Sequence, residues 1–182
     1  MQNYMKLEIA ARSENESFAR SAVAAFALCL SPTLAEISDI KTAVSEGVTN
    51  AIVHAYRKGE TGTIEITCLA EPFSAEGAQA DGQENEESAG GILHIEITDR
   101  GCGIENVEQA LLPFYTTLAD EERSGMGFTV MQTFCDGFSV ESARGKGTTV
   151  RLTKRIGTPR EGTAELPCEG ELIGLGRDGV HA

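Results

Sequence analysis

The sequence predicts an α/β fold: a two-layer α/β sandwich in which a mixed, mainly antiparallel sheet carries three helices on one face. Three observations lead there. Apolar and polar residues alternate in two separated segments, first Ile64, Ile66 and Cys68, later Leu93, Ile95 and Ile97, the period of half-buried strands. Between Ser13 and Ala55 the apolar spacing is helical, interrupted at Ser31-Pro32. The 182 residues, 41% of them hydrophobic, suffice for one sizeable core and disfavour a second full domain.

Met5, Leu7 and Ile9 alternate with Lys6 and Glu8, which predicts a first strand. Ser13 and Glu16 have the spacing of a capping box, ahead of a helix with apolar positions Phe18, Ala22, Phe26 and Cys29. Thr33 and Glu36 repeat that signature before a longer helix, whose stripe is Ile37, Ile40, Val44, Val48, Ala51 and Ala55. Beyond the two central strands, FTVMQTFC is helix-like, and Phe138/Val140 and Val150/Leu152 supply two more strands. The segment 71–91 holds six acids, four glycines and no Lys or Arg, so it cannot bury a core and is expected to be a disordered hairpin insertion. The domain proper is expected to span 1–156, and the Gly- and Pro-rich stretch 157–182 to form a loose tail.

Charge narrows the function classes. With 28 acidic and 15 basic residues, a net charge of −13 and no Lys/Arg-rich run, the chain has no footprint for a phosphate backbone, and direct nucleic-acid binding is disfavoured. Five cysteines without a CxxC pair, and no basic segment followed by an apolar run at the N-terminus, point to a reducing, cytoplasmic setting. No apolar stretch approaches the roughly 20 residues that span a bilayer, so no membrane partner is expected.

Four short stretches carry the chemistry. In SEGVTNAIVHAYR, Glu46, Asn50 and His54 recur at steps of four, and Glu46 and Asn50 lie at the edge of the apolar stripe, where they can face a cleft. The strand ILHIEIT runs into DRGCG, which puts the carboxylate of Asp99 at a strand end and follows it with Gly101 and Gly103. Such a turn lets a planar base approach the backbone while Asp99 accepts from an amino group such as that of adenine; alone, it would also be a plain Asp-Gly turn. In SGMGF, Gly125 and Gly127 precede a helix whose free N–H groups and dipole attract phosphate, although the spacing is neither the P-loop nor the Rossmann fingerprint. In GKGTTV, Gly147 and Thr148 enter a strand, where a hydroxyl could join Asp99 at the base.

In this order, EGVTNAIVH, DRGCG, SGMGF and GKGTTV resemble the asparagine box and the three glycine boxes of the Bergerat ATP-binding fold, shared by gyrase-type ATPases, histidine kinases and anti-sigma serine kinases. Within that superfamily, NESFAR, IKTAVSEGVTNAIVHAY, LPFYTTLADEERSGMGF and GTTVRL are similar to the anti-sigma F factors of endospore-forming bacteria, over residues 1 to about 156 apart from the acidic insertion. The resemblance implies ATP and Mg2+ as cofactors, with Asn50 holding the metal. Glu46, one turn away, can then orient and deprotonate an incoming hydroxyl. It implies a lid from Leu111 to Arg123 that includes Thr116 and Thr117, with Arg123 at the terminal phosphate. The cofactor would be held by Asn50, Asp99, Gly101, Gly103, Thr116, Thr117, Ser124, Gly125, Met126, Gly127, Phe128 and Thr148. It also implies a homodimer that sequesters a sporulation sigma factor and phosphorylates a serine on an anti-anti-sigma partner, with Arg20 in the surface that meets both. Without a partner, Arg20 would be a solvated side chain paired with Glu16. Two other readings stay open: a stress-response anti-sigma serine kinase with different partners, and an ATP-dependent binding module without catalysis, against which Glu46 counts. His54 is expected to be structural and Cys102 to pack near the base.

Overall fold

The computed structural model describes residues 3–56, 60–73, 90–114 and 125–157. Strand β1 (Asn3–Ala10) leads through one 3₁₀ turn into α1 (Glu16–Ala27) and α2 (Leu34–Asn50). The strands β2 (Thr63–Pro72) and β3 (Gly91–Asp99) follow, then a short α3 (Val107–Ala110), α4 (Gly127–Phe134), and the hairpin β4 (Gly137–Ala143) and β5 (Gly147–Ile156). The sheet order is β1-β2-β3-β5-β4, and all four ladders are antiparallel, a more uniform sheet than the mixed one expected.

The strand pattern works as its period dictates. Ile64, Ile66, Cys68, Leu93, Ile95 and Ile97 point to one face and are buried beneath the helices, while Thr67, Glu96 and Arg151 line the open face. Each fully buried isoleucine contributes about 1.5–3 kcal/mol of transfer free energy. On the covered face α1, α2 and α4 lie side by side with α2 in the middle. Lys154 joins the two layers: its Nζ donates to Asp39 Oδ2 of α2 (2.8 Å) and to the Phe134 carbonyl at the end of α4 (2.9 Å). No helix among the described residues is long and apolar enough to cross a membrane.

Two local expectations are corrected at α1. The buried residues are Ala19, Val23, Ala24 and Ala27, so Phe18 is 55% exposed and Cys29 exposed, with Ala22 and Phe26 only half-buried. Both stripes have helical spacing, one residue out of phase, and periodicity alone does not choose between them; the alanine-rich side lets α1 approach α2 closely. The capping box at Ser13 and Glu16 does not form either. Ser13–Asn15 is a 3₁₀ turn, and Glu16 Oε1 instead accepts from Ser45 Oγ of α2 (2.6 Å), which leaves that oxygen committed across the helix pair.

The second capping box does form. Thr33 Oγ1 accepts from the Glu36 N–H (3.2 Å) and Glu36 Oε2 accepts from the Thr33 N–H (2.7 Å), just after Ser31 has ended the preceding turn in the left-handed region at φ 54°. The β2–β3 ladder runs out to Pro72 opposite Gly91, so Glu71, Pro72 and Gly91 belong to the strands and not to the insertion. The rest of the acidic segment, residues 74–89, lies outside the described residues, as does the tail from 158 onward.

Candidate functional site

A cavity of about 850 Å³ opens between α2, α4 and the ends of β3 and β5. Its first wall is α2. Glu46 and Asn50, one turn apart, are both half-buried and both line it. Gly127, the first residue of α4, abuts them: a Cβ added there would lie 3.0 Å from Asn50 Nδ2 and 3.1 Å from each of Asn50 Oδ1 and Glu46 Oε2. No side chain caps α4. Its N-terminal N–H groups and dipole therefore face a place where a carboxylate and an amide already converge, which suits an anion and a hard cation together.

The second wall is the DRGCG turn, docked on the end of α2. Past Asn50 the helix widens into a π turn, Ala51–Ala55, which frees carbonyls that a tighter helix would use internally. The Cys102 N–H donates to the Ala55 carbonyl (2.7 Å) and Cys102 Sγ to the His54 carbonyl (3.1 Å). Gly101 runs so close to the Ala55 carbonyl that any Cβ would overlap it, and this explains the glycine better than turn geometry does. Cys102 and His54 both border the cavity.

The floor is Asp99, only 5% exposed. Its Oδ1 accepts from the Gly101 N–H (2.9 Å), and burial raises its pKa above the ordinary 3.8 while the backbone N–H groups of Gly101 and Thr148 oppose that rise. Asp99 and Thr148 are direct partners in the β3–β5 ladder, so GKGTTV reaches the floor through sheet register. The Thr148 hydroxyl is 3.0 Å from Ser142 Oγ, which also donates to the Gly147 carbonyl (2.9 Å) and accepts from the Ile104 N–H (2.8 Å).

The structure thus brings Glu46, Asn50, Asp99, Gly103, Gly125, Met126, Gly127, Phe128 and Thr148 to one cavity, with Gly101 behind its wall. Thr116, Thr117, Arg123 and Ser124 lie outside the described residues. The lid expected from Leu111 is described only to Phe114, whose N–H donates to the Gly125 carbonyl (3.1 Å), so the two ends of the undescribed stretch meet at the cavity mouth. Arg20 is elsewhere. It lines a separate groove of about 400 Å³ between α1 and α2, bordered on its far side by Glu46, with its Nε 3.6 Å from Glu16 Oε1.

Sequence reasoning missed Ser142 and the segment Ile104–Ala110. For α3 a signal existed: Asn106 caps it, its Oδ1 accepting from the Gln109 N–H (2.9 Å), a spacing visible in NVEQ. For Ser142 there was none, because its part depends on which residue of β5 it meets.

Against known proteins, residues 9–154 match the family model described as a histidine kinase-like ATPase domain. The chain is 49% identical over 158 residues to the anti-sigma F factor of a Thermoanaerobacter species, covering 87% of this chain and 97% of that one. It is 51% identical over 158 residues to the anti-sigma F factor of Caldanaerobacter subterraneus, with the same coverage, and 46% identical over 156 residues to that of Geobacillus kaustophilus, covering 86% and 94%. The crystal structure of the RsbU and RsbW domains of a Mycobacterium tuberculosis protein superposes with a TM-score of 0.51 over 86% of this chain and 33% of that one; at 17% identity the likeness is one of fold. A domain match over most of the chain and near-half identity along nearly the whole of these relatives agree: the chain belongs to the anti-sigma F factor family and carries its ATP-binding, histidine kinase-like ATPase domain.

Proposed function

We propose that this protein is a cytoplasmic anti-sigma factor and protein serine kinase, which sequesters a sporulation sigma factor and uses Mg-ATP to phosphorylate a serine on an anti-anti-sigma antagonist. The observation that carries the kinase reading is the meeting of Glu46, Asn50 and Gly127: a carboxylate and an amide oxygen beside an uncapped helix N-terminus.

The residues present fit both cofactors. Asp99 is a buried acceptor for an exocyclic amine, and Gly127 leaves room for phosphate where a side chain would press on Asn50 and Glu46. Among the described residues no group of three or more His, Cys, Asp or Glu could hold a metal, so the Asn50 carbonyl would share the ion with phosphate oxygens and water, as magnesium tolerates. Bound there, magnesium would neutralise phosphate charge and keep the phosphates in line with the incoming oxygen. Glu46 Oε2 would take the proton of the acceptor serine hydroxyl as that oxygen bonds to the γ-phosphorus of ATP and the bond from this phosphorus to the β–γ bridging oxygen breaks, which leaves ADP and the phosphoserine. The α4 N-terminal N–H groups stabilise the charge that gathers on the phosphoryl oxygens. In this assignment Arg123, together with Thr116, Thr117 and Ser124, completes the phosphate contacts from the lid, and Arg20 faces both protein partners.

The test is to incubate the protein with Mg-ATP and candidate antagonists and follow each antagonist by intact mass and phosphosite mapping. One added phosphate on a serine, abolished when that serine is replaced by alanine, is the expected result. ATP binding without any transfer would favour a binding module, and transfer to a stress-response antagonist alone would favour the related kinase.

A further inference from the structure

We infer that Ser142 sets the base specificity of the cavity: it holds the proton of the Thr148 hydroxyl, so that Thr148 meets a purine with lone pairs only, and the floor selects a base with an exocyclic amine over one with an oxo group. The inference rests on the proposed nucleotide reading of the cavity and deepens it, and Ser142 acts in it as a positioning residue.

Thr148 lines the cavity, and Ser142 is its ladder partner on the edge strand β4. A serine hydroxyl has one hydrogen to give and two lone pairs to accept with. The Gly147 carbonyl, 2.9 Å from Ser142 Oγ, can only accept, so it takes the hydrogen. The Ile104 N–H, at 2.8 Å, can only donate, so it fills one lone pair. What is left toward Thr148 Oγ1, at 3.0 Å, is the second lone pair, and Thr148 must be the donor of that bond. The reverse assignment would set the Ser142 oxygen against the Gly147 carbonyl oxygen with no hydrogen between them.

The other donors around the floor are turned away from the cavity as well. The N–H groups of Gly101 and Thr148 are both spent on Asp99, and the N–H and thiol of Cys102 on the carbonyls of Ala55 and His54. The floor therefore faces a base with the Asp99 carboxylate and the Thr148 oxygen, two acceptors. Adenine brings an amine with two hydrogens to such a place. Hypoxanthine and guanine bring an oxygen, whose lone pairs meet lone pairs, and a site built for one hydrogen-bonding pattern rejects the other because its groups are left unpaired. A threonine hydroxyl free to turn would not discriminate in this way, since it could donate to an oxo group as readily as it accepts from an amine. Ser142 removes that freedom.

The test is calorimetric titration of the full-length chain with Mg-ATP and with Mg-ITP, whose base carries oxygen at C6 in place of the amine and a hydrogen on N1. The wild type should prefer ATP, and the triphosphate of unsubstituted purine, with only hydrogen at C6, should rank between the two. Ser142→Ala frees the Thr148 proton and should narrow the ATP-to-ITP ratio by about tenfold. In the pair Ser142→Ala/Thr148→Val no hydroxyl proton is left to turn, and most of the discrimination against ITP should return. A purely structural role for Ser142 would weaken both nucleotides alike, and melting curves of the ligand-free variants check that each is folded. Asp99→Asn, titrated alongside, tests the adenine pocket itself: unchanged ATP affinity there would overturn that reading and this inference together. If Asp99→Asn loses ATP affinity, three results would overturn the role of Ser142 alone: an unchanged ratio in Ser142→Ala, a ratio as narrow in the pair as in the single variant, or wild-type binding of ITP as tight as that of the unsubstituted purine.

Discussion

Asp99 sets stability against function. Burial raises its pKa, so between the ordinary 3.8 and the raised folded value the folded state binds more protons than the unfolded chain, and stability falls as pH rises through that window. Asp99→Asn keeps an acceptor for the Gly101 and Thr148 N–H groups without the buried charge. Above that window the ligand-free variant should melt no lower than the wild type in calorimetry. Its ATP affinity should fall by about tenfold or more, because the amide presents its own N–H toward the adenine amine. In the wild type, ATP affinity should also weaken as pH drops through the raised pKa, and Asp99→Asn should lose that dependence; unchanged nucleotide affinity in the variant would remove Asp99 from the adenine pocket.

The junction of α2 and α4 is the element on which the site depends. In Gly127→Ala the added methyl meets the movable ends of Asn50 and Glu46 at 3.0–3.1 Å, so those side chains shift by a few tenths of an ångström while the helix persists. The melting temperature should hold, since alanine favours helix by up to about 1 kcal/mol. Phosphoryl transfer should drop by about a hundredfold, because the positioning of reacting groups is what the glycine protects. At the other end of α2, Thr33→Ala removes one arm of the capping box and should lower stability by about 1 kcal/mol in chemical denaturation, with ATP affinity intact. Elements of this kind were legible from sequence where the signal was local: the Thr33–Glu36 box, the Ile64–Cys68 and Leu93–Ile97 alternation, and the four-residue step from Glu46 to Asn50. What stayed hidden was decided by distant partners. Glu16 bonds Ser45 instead of capping its own helix, α1 buries the stripe next to the one its aromatic residues suggest, and Ser142 joins the site only through β4–β5 register.

At the scale of the whole molecule, two recesses among the described residues of the helix layer meet at Glu46, which borders both, and the proposed function gives the cavity to the nucleotide and the groove beside Arg20 to the protein partners. Arg20→Glu, in the groove and away from the cavity, should weaken sigma-factor and antagonist binding by about 1–3 kcal/mol each without changing ATP affinity. Titrations of all three ligands on one preparation check this; a parallel loss of ATP affinity would indicate a damaged fold. The serine-kinase assignment is tested most directly by Glu46→Gln, which keeps the side chain's shape and removes its basicity. In single-turnover transfer from Mg-ATP to the antagonist serine, with ATP affinity measured on the same sample, transfer should slow by about a hundredfold or more while nucleotide affinity stays near that of the wild type. Transfer at the wild-type rate would contradict the assignment of Glu46 as the base.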